Sequence, residues 1–400
     1  MKIALVHELL TMRGGAERVL RILADMFPLA PVYTLLYDEA KLGEWFPRER
    51  IRTSLVQNLA YRLPARTSPF GTGGPLTAYR FNHHLYLRKF PHAVEAWDFT
   101  GFDLVLSTSS AFVHGIITNG SPKHVSFIHS PARYLWDRTH DVLADAGRGL
   151  LGPLKRAYLE RAFHRLRIWD AEAADRADRL LAASKAVQRR IQLYWRRESE
   201  VVYPPLDDYW LQQPASSFKL PVRTDIRPGG QASSSSYYLV VSTLARYKRI
   251  DLAILAANAR KVPLKIVGEG TEYKRLRSLA GSTVQFLGYV PHEELKTLYA
   301  DARATIFPGD EDFGLVPLES LACGTPVIAF RAGGALETLT EGDTAEFFDE
   351  PTPQSLQAAM EKLEQKTYAP EACRTQAKKF SRAQFEAGIR KAIEKTMTSS

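Results

Sequence analysis

The chain has 400 residues, 45% hydrophobic and 24% charged, which excludes a disordered or fibrous chain and suits two domains of about 200 residues each. No apolar run approaches about 18 residues, and the two cysteines, Cys323 and Cys373, fit neither a disulfide framework nor a zinc spacing. The formal net charge of +9 sits wholly in the first half: residues 1–200 hold 29 Lys+Arg against 20 Asp+Glu, and residues 201–400 hold 24 against 24.

Lys2–His7 reads as a first strand, followed by Arg13-Gly14-Gly15 and a helix over Ala16–Phe27 with Val19, Leu20, Leu23 and Phe27 on one stripe. Strand, glycine loop and helix open a Rossmann-like unit, but a lone Gly-Gly is not the dinucleotide fingerprint. The N-terminus has charge where a signal peptide needs an apolar core, so a reducing cytoplasm is expected. Residues 50–94 contain no Asp or Glu and carry Arg50, Arg52, Arg62, Arg66, Arg80, Arg88 and Lys89. With the aromatics of Tyr79–Phe90 and the glycines of 71–74, this stretch reads as an acceptor-facing or membrane-facing insertion, or as a solvated surface. A basic half points to an anionic partner: nucleic acid, acidic lipid, or a lipid-linked phosphate. No nucleic-acid motif accompanies it.

Asp103–Ser107 and Val125–Ile128 are further strand candidates, the second running into His129-Ser130-Pro131-Ala132-Arg133-Tyr134-Leu135-Trp136. His129 thus stands at a strand's carboxyl end. Leu154–Trp169 is a basic amphipathic helix, with Tyr158, Leu159, Ala162, Phe163, Leu166 and Trp169 on one face. It suits an anionic membrane surface, or it packs on its own domain. Arg179–Ala183 reads as a strand and Ser184 as the N-cap of a helix to Trp195. These elements make a first domain over 1–205, and a Pro/Gly/Ser-rich linker covers 206–236.

The second domain, 237–376, opens with the strand Tyr238–Val241 and the stretch Ser242-Thr243-Leu244-Ala245-Arg246-Tyr247-Lys248-Arg249-Ile250-Asp251. Leu264–Val267 leads into Gly268-Glu269-Gly270, and Val284–Leu287 into Gly288-Tyr289-Val290-Pro291. Ala304–Phe307 is a strand stopped by Pro308-Gly309. Then come Glu311, Phe313-Gly314-Leu315-Val316, Glu319 and a short helix, and the strand Val327–Phe330. A loop at a strand's carboxyl end is where open α/β sheets bind ligands, and helix-start N–H groups hold anions. Phosphate on that backbone, with two carboxylates accepting from hydroxyls, is the chemistry of a sugar joined to a nucleoside diphosphate. Gly333-Gly334 comes next. Residues 353–366 read as helical, and 377–400 as a final helix returning to the first domain.

Glu311-x-Phe313-Gly314-x-x-Pro317-x-Glu319-x-x-Ala322-x-Gly324-x-Pro326-Val327-Ile328-Ala329 resembles the signature of family 4 retaining glycosyltransferases. The resemblance spans nearly the whole chain and is weakest over 50–100 and 206–236. It implies an α/β chain of GT-B fold, with two Rossmann-like domains facing each other across a cleft. It also implies sugar transfer from a nucleotide-sugar donor with retention of configuration and no metal or other cofactor. The implied catalytic residues are Glu311, orienting the sugar, Lys248, offsetting charge on the leaving diphosphate, and His129, contacting the donor sugar. The implied donor-binding residues are Gly15, Arg246, Arg249, Gly268, Gly270, Val290, Phe313, Gly314, Leu315, Val316 and Glu319, with Glu319 holding the ribose hydroxyls. The family pairs an arginine with Lys248 in the diphosphate clamp. Here that position is Thr243, so Arg246 or Arg249 replaces the charge, or catalysis is weak.

The His-Ser-Pro-x-Arg-Tyr-x-Trp string resembles a subgroup tied to GDP-mannose. The expected acceptor is a growing lipid-linked glycan at the inner face of a membrane, with the basic first half against anionic lipid and no nucleic-acid partner. The other readings are a UDP-sugar transferase, a nucleotide-sugar-binding subunit with little catalysis, a hydrolase or epimerase on the same scaffold, and a basic RNA-binding protein.

Overall fold

The computed structural model describes residues 1–62, 86–147, 152–212 and 237–398. It divides into two compact units, one of Met1–Tyr203 with Glu386–Ser400, the other Pro204–Phe385. Each is built on one parallel sheet.

In the first unit the strands are β1 (Ile3–Leu10), β2 (Val32–Tyr37), β3 (Ile51–Thr53), β4 (Leu104–Ser109), β5 (Lys123–Ile128), β6 (Arg179–Ala182) and β7 (Glu200–Val201). They lie in the order β3-β2-β1-β4-β5-β6-β7, paired in parallel throughout. The order reverses at β1, a topological switch point. β1 is buried along nearly its whole length, as a central strand covered on both faces must be. The helix Gly15–Met26 covers one face with Val19, Leu20 and Leu23. The helix Gly152–Ala173 buries Ala162, Phe163 and Leu166 against the core of this unit. Ser184 caps the helix Lys185–Trp195, its hydroxyl accepting from the Val187 N–H at 3.0 Å.

In the second unit the strands are β8 (Tyr238–Val241), β9 (Leu264–Val267), β10 (Val284–Gly288), β11 (Ala304–Phe307), β12 (Val327–Phe330) and β13 (Ala345–Phe348). Their order is β10-β9-β8-β11-β12-β13, again parallel. The carboxyl ends of β8 and β11 are therefore neighbours.

Three expectations need revision. The linker expected over 206–236 is packed at its start: Asp208–Leu211 is a short helix in the second unit, and Trp210 is 1% exposed. A buried tryptophan and a capping Asp207 fix this segment despite the Pro/Gly/Ser-rich composition of 213–236. Residues 213–236 themselves lie outside the described residues, as do the glycines of 71–74 and residues 79–85 of the basic stretch. The single helix expected from 377 is two, Pro370–Lys378 and Arg382–Thr398. Phe380 is buried at the break between them, and its carbonyl accepts from the Leu206 N–H. Strands β2, β3, β7 and β13 were not among the expected elements.

Candidate functional site

The second unit gathers most of the expected residues at the carboxyl ends of β8 and β11. After β8 the chain turns through a short 3₁₀ segment, Arg246–Lys248. After β11, Pro308 and Gly309 carry it across to that turn. A Cβ on Gly309 would sit 3.1 Å from Lys248 Cα and from the Tyr247 carbonyl, so glycine permits the close approach. The result is a 2.6 Å ion pair between Lys248 Nζ and Glu311 Oε2, with side chains 15% and 20% exposed.

The Glu311 loop is held from behind. The Gly334 N–H donates to the Glu311 carbonyl at 2.9 Å, and a Cβ on Gly333 or Gly334 would collide with the backbone of Glu311 or Phe313. Gly314 takes φ +86 as N-cap of the helix Leu315–Ala322. This puts the first-turn N–H groups of Leu315 and Val316 at a helix start, where orphan donors and the dipole favour an anion. Glu319, one turn further on, is 6% exposed and accepts from the Tyr299 hydroxyl at 3.0 Å.

Two expected residues do something else with their side chains. The Phe313 ring is buried edge-on to Phe380 at 5.7 Å, so it anchors the loop from beneath and leaves only its backbone for a donor. Arg249, in a left-handed conformation, is turned to the Asp251 carboxylate at 3.4 Å and the Pro351 carbonyl at 3.3 Å. Arg246 is exposed in the same turn as Lys248. Gly268 and Gly270 end β9. Val290 follows β10 and is buried at 6% exposure, so its side chain packs inward. Thr243 is exposed, and its carbonyl accepts from the Ala245 N–H.

In the first unit, Gly15 opens its helix, but the preceding N–H, of Gly14, is taken by the Glu17 carboxylate at 2.9 Å. His129 follows β5. Its N–H donates to the Ser109 carbonyl at 2.8 Å, its ring stands edge-on to Phe127, and Nε2 is buried without a hydrogen-bond partner. Burial, then the neighbouring His7, lower its pKa to about 3, so the imidazole is neutral.

Two neighbours escaped the sequence reading. His7 Nδ1 lies 2.6 Å from Thr108 Oγ1. The Glu8 carboxylate accepts from the backbone N–H groups of Ser110, Ala111 and Phe112, fixing the turn after β4. A His-Glu pair ending a buried strand before a glycine loop was the available signal. Among the described residues, no group of three or more His, Cys, Asp or Glu is placed to hold a metal ion, and no helix is long and apolar enough to cross a membrane.

Two parallel Rossmann-like sheets with the phosphate-compatible helix start in the second define the GT-B class. The structure of Anabaena HepE in complex with UDP aligns over 99% of this chain and 100% of its own, with a TM-score of 0.66 and 17% identity. WaaG, a glycosyltransferase involved in lipopolysaccharide biosynthesis, aligns over the whole of both chains at a TM-score of 0.57 and 16% identity. These likenesses concern the fold. Residues 222–380 match the family model "Glycosyl transferases group 1", and the chain carries a group 1 glycosyltransferase domain.

A D-inositol 3-phosphate glycosyltransferase of Acidothermus cellulolyticus is 31% identical over 218 residues, 49% of this chain and 48% of its own. A GDP-mannose-dependent alpha-mannosyltransferase of Corynebacterium glutamicum is 34% identical over 103 residues, 26% of this chain and 25% of its own. The chain spans about half the length, or less, of the curated relatives it matches.

Proposed function

We propose that the protein is a retaining, metal-independent hexosyltransferase that moves mannose from GDP-mannose to a growing, lipid-linked glycan in surface polysaccharide synthesis. The observation that carries the donor half of this reading is the Lys248–Glu311 pair beside the Gly314 helix start. One cation, one carboxylate and a run of helix-start N–H groups are what a sugar diphosphate needs: donors for the phosphates, an acceptor for the sugar hydroxyls. The GDP-mannose assignment is supported by the His129–Trp136 string and by the mannosyltransferase relative.

In the proposed reaction the acceptor hydroxyl oxygen bonds to the anomeric carbon as the bond from that carbon to the diphosphate oxygen breaks. Both events take place on the same face. The acceptor proton passes to the departing phosphate oxygen, so no separate base is needed. Lys248, with Arg246, offsets the charge that builds on the diphosphate, aided by the N–H groups of Gly314 to Val316. Glu311 orients the sugar, and Glu319, braced by Tyr299, holds the ribose hydroxyls. His129 keeps the donor-sugar contact that the resemblance assigns it, as a neutral imidazole.

The acceptor half rests on charge and exposure. The helix Gly152–Ala173 buries one face and leaves Leu154, Tyr158 and Ile168 exposed at 72%, 52% and 48%, with Arg161 and Arg165 exposed between them. Apolar side chains set among arginines suit an anionic bilayer surface and support a peripheral position at the inner face of a membrane.

A thermal-shift panel of GDP, UDP, ADP, GDP-mannose and UDP-glucose tests the donor, followed by mannosyl transfer to extracted lipid-linked glycan. Saturation near 100 times Kd adds about 2.7 kcal/mol. Stabilisation by the guanine nucleotides with transfer supports the reading. Stabilisation without transfer favours a nucleotide-sugar-binding subunit, the second reading, which Thr243 in the clamp motivates. Equal binding to neutral and acidic vesicles counts against the membrane site.

A further inference from the structure

After His129 the chain leaving β5 turns inward onto the helix Gly152–Ala173. Phe163, Arg167 and Asp170 stand on one face of that helix, at helical spacing, and each takes a different part of the segment. The Tyr134 ring packs on Phe163 with centroids 5.7 Å apart. Arg167 Nη1 donates to the Leu135 carbonyl at 3.1 Å. The Trp136 indole N–H donates to Asp170 Oδ2 at 2.8 Å, and the Trp136 ring stacks on Tyr194 at 4.9 Å.

Asp170 is fully buried and takes a second indole N–H on the same oxygen, from Trp195 at 2.7 Å. A buried carboxyl is stable where donors meet it, and an indole nitrogen can only donate. Trp195 makes the acid part of the core of this unit. Trp136 makes it the anchor of the segment that begins at His129. His129 itself is tied through its backbone N–H to the Ser109 carbonyl. Its ring meets Phe127 edge-on, and its Nε2 has no hydrogen-bond partner. The orientation of the ring is therefore set by the chain on either side: β5 before it, the anchored segment after it.

We infer that Asp170 and Arg167 are positioning residues, which act on sugar transfer through His129 by holding residues 130–136 against the helix Gly152–Ala173. The inference rests on the proposed contact of His129 with the donor sugar. A shift of about 1 Å in a group that orients a reacting centre can cost about a hundredfold in rate. The proposed diphosphate site at Lys248 is built from other residues in the other unit, so nucleotide affinity should not follow the rate.

Two mild variants test this in the full chain. Trp136→Phe keeps the stacked ring and loses the indole donor. Arg167→Met keeps the apolar stem and loses the guanidinium. Both leave Trp195 on Asp170. Each is followed by amide exchange over residues 129–137, by GDP calorimetry, and by mannosyl transfer from GDP-mannose to extracted lipid-linked glycan, alone and combined with His129→Ala. Exchange over the segment should accelerate by about tenfold. Turnover should fall by about ten- to a hundredfold with GDP affinity unchanged, and that fall should vanish in the His129→Ala background. Asp170→Asn, whose amide oxygen still accepts from the indoles, should retain most of the rate that Asp170→Leu loses. Unchanged exchange in both mild variants overturns the inference and leaves the His129 contact standing. So does a loss of rate that persists in full on top of His129→Ala, or one matched by a loss of GDP affinity. A His129→Ala variant that transfers at the wild-type rate, or a wild type that transfers no mannose, overturns the His129 contact and the inference with it.

Discussion

Lys248 Nζ lies 2.6 Å from Glu311 Oε2, so the cation that the proposed reading assigns to a diphosphate is neutralised by the carboxylate it assigns to the sugar. An arriving donor brings its own negative charge to Lys248 and hydroxyl donors to Glu311, so binding exchanges one pairing for two. Glu311→Gln should therefore separate two quantities that usually fall together. Free nucleoside diphosphate should bind more tightly, because its competitor for Lys248 is gone. Sugar transfer should slow by about ten- to a hundredfold, the worth of a charge-assisted hydrogen bond. Calorimetry on the nucleotide and a transfer assay on the same preparation check both signs. Weaker nucleotide binding by Glu311→Gln would mean that Glu311 supports the phosphate site rather than competing for it.

The glycines of this unit make a graded stability test. At Gly314, with φ +86, a Cβ would meet the Phe307 ring at 2.8 Å. A ring can shift, so Gly314→Ala should cost the left-handed penalty of about 1–2 kcal/mol plus a modest repacking term. At Gly268 the obstacle is a backbone carbonyl 1.9 Å away, held in the hydrogen-bonded layer of the β8 loop. Gly268→Ala should therefore be the more damaging of the two, with a larger drop in urea midpoint. The reverse order would show that the β8–β9 layer yields more readily than the Phe307 contact.

Much of the second unit is legible in the sequence, for identifiable reasons. The strands Tyr238–Val241, Leu264–Val267, Ala304–Phe307 and Val327–Phe330 are short apolar β-prone runs ended by glycine, proline or polar residues, and they form as expected. Ser184 reads as a cap because its hydroxyl precedes a helical stripe, and it is one. Val32–Tyr37 carries the same apolar signal, yet it was not among the expected strands. Ile51–Thr53 and Glu200–Val201 are too short for periodicity to register, and exist because a neighbouring strand offers them an edge. The site residues are legible as a motif, but their partners are not. That Arg249 turns to Asp251, that Phe313 packs on Phe380, and that Glu8 collects the backbone N–H groups of Ser110 to Val113 depend on folding contacts that sequence spacing does not encode.

Buried titratable groups in the first unit set its pH response. Burial lowers His114 to about 4, and His124 and His129 to about 3, from 6.5. It raises Asp170 to about 7 from 3.8, against the lowering effect of hydrogen bonds from the Trp195 and Trp136 indoles. Each histidine is neutral when folded, so its contribution is complete above pH 6.5 and is lost as pH falls toward its folded value. Asp170 runs the other way: its contribution is complete below pH 3.8 and is lost as pH rises through about 7. Three groups oppose one between pH 4 and 6.5, so stability should rise across that window and then ease downward to about pH 7. Asp170→Asn should remove the downward arm and steepen the acid one. Thermal unfolding followed by tryptophan fluorescence from about pH 4.5 to 8 reads this directly. An unchanged profile in Asp170→Asn would mean that the carboxyl does not titrate differently on folding.

The segment entering the second unit, fixed by Trp210 and the Asp207 cap, should also be held by the Lys296 ammonium. Lys296 Nζ donates to the carbonyls of Tyr209 at 2.9 Å and Gln212 at 2.6 Å, and stands 4.8 Å from the Tyr209 ring. One turn earlier on the same helix, His292 packs against the rings of Tyr209 and Trp210. The aromatic contacts come from burial and should survive without the charge, whereas the two carbonyls depend on Lys296 at a helix end, where no intrahelical donor remains. Lys296→Met keeps the apolar stem and removes both hydrogen bonds. Amide exchange at residues 208–212 should accelerate by about ten- to a hundredfold, since hydrogen bonds to a charged group are worth about 1.5–3 kcal/mol. The global unfolding midpoint should move little, because Trp210 stays buried. Faster exchange spread over the whole unit would instead assign Lys296 to the core's stability. Unchanged exchange would show that Trp210 and the Asp207 cap fix the segment without Lys296.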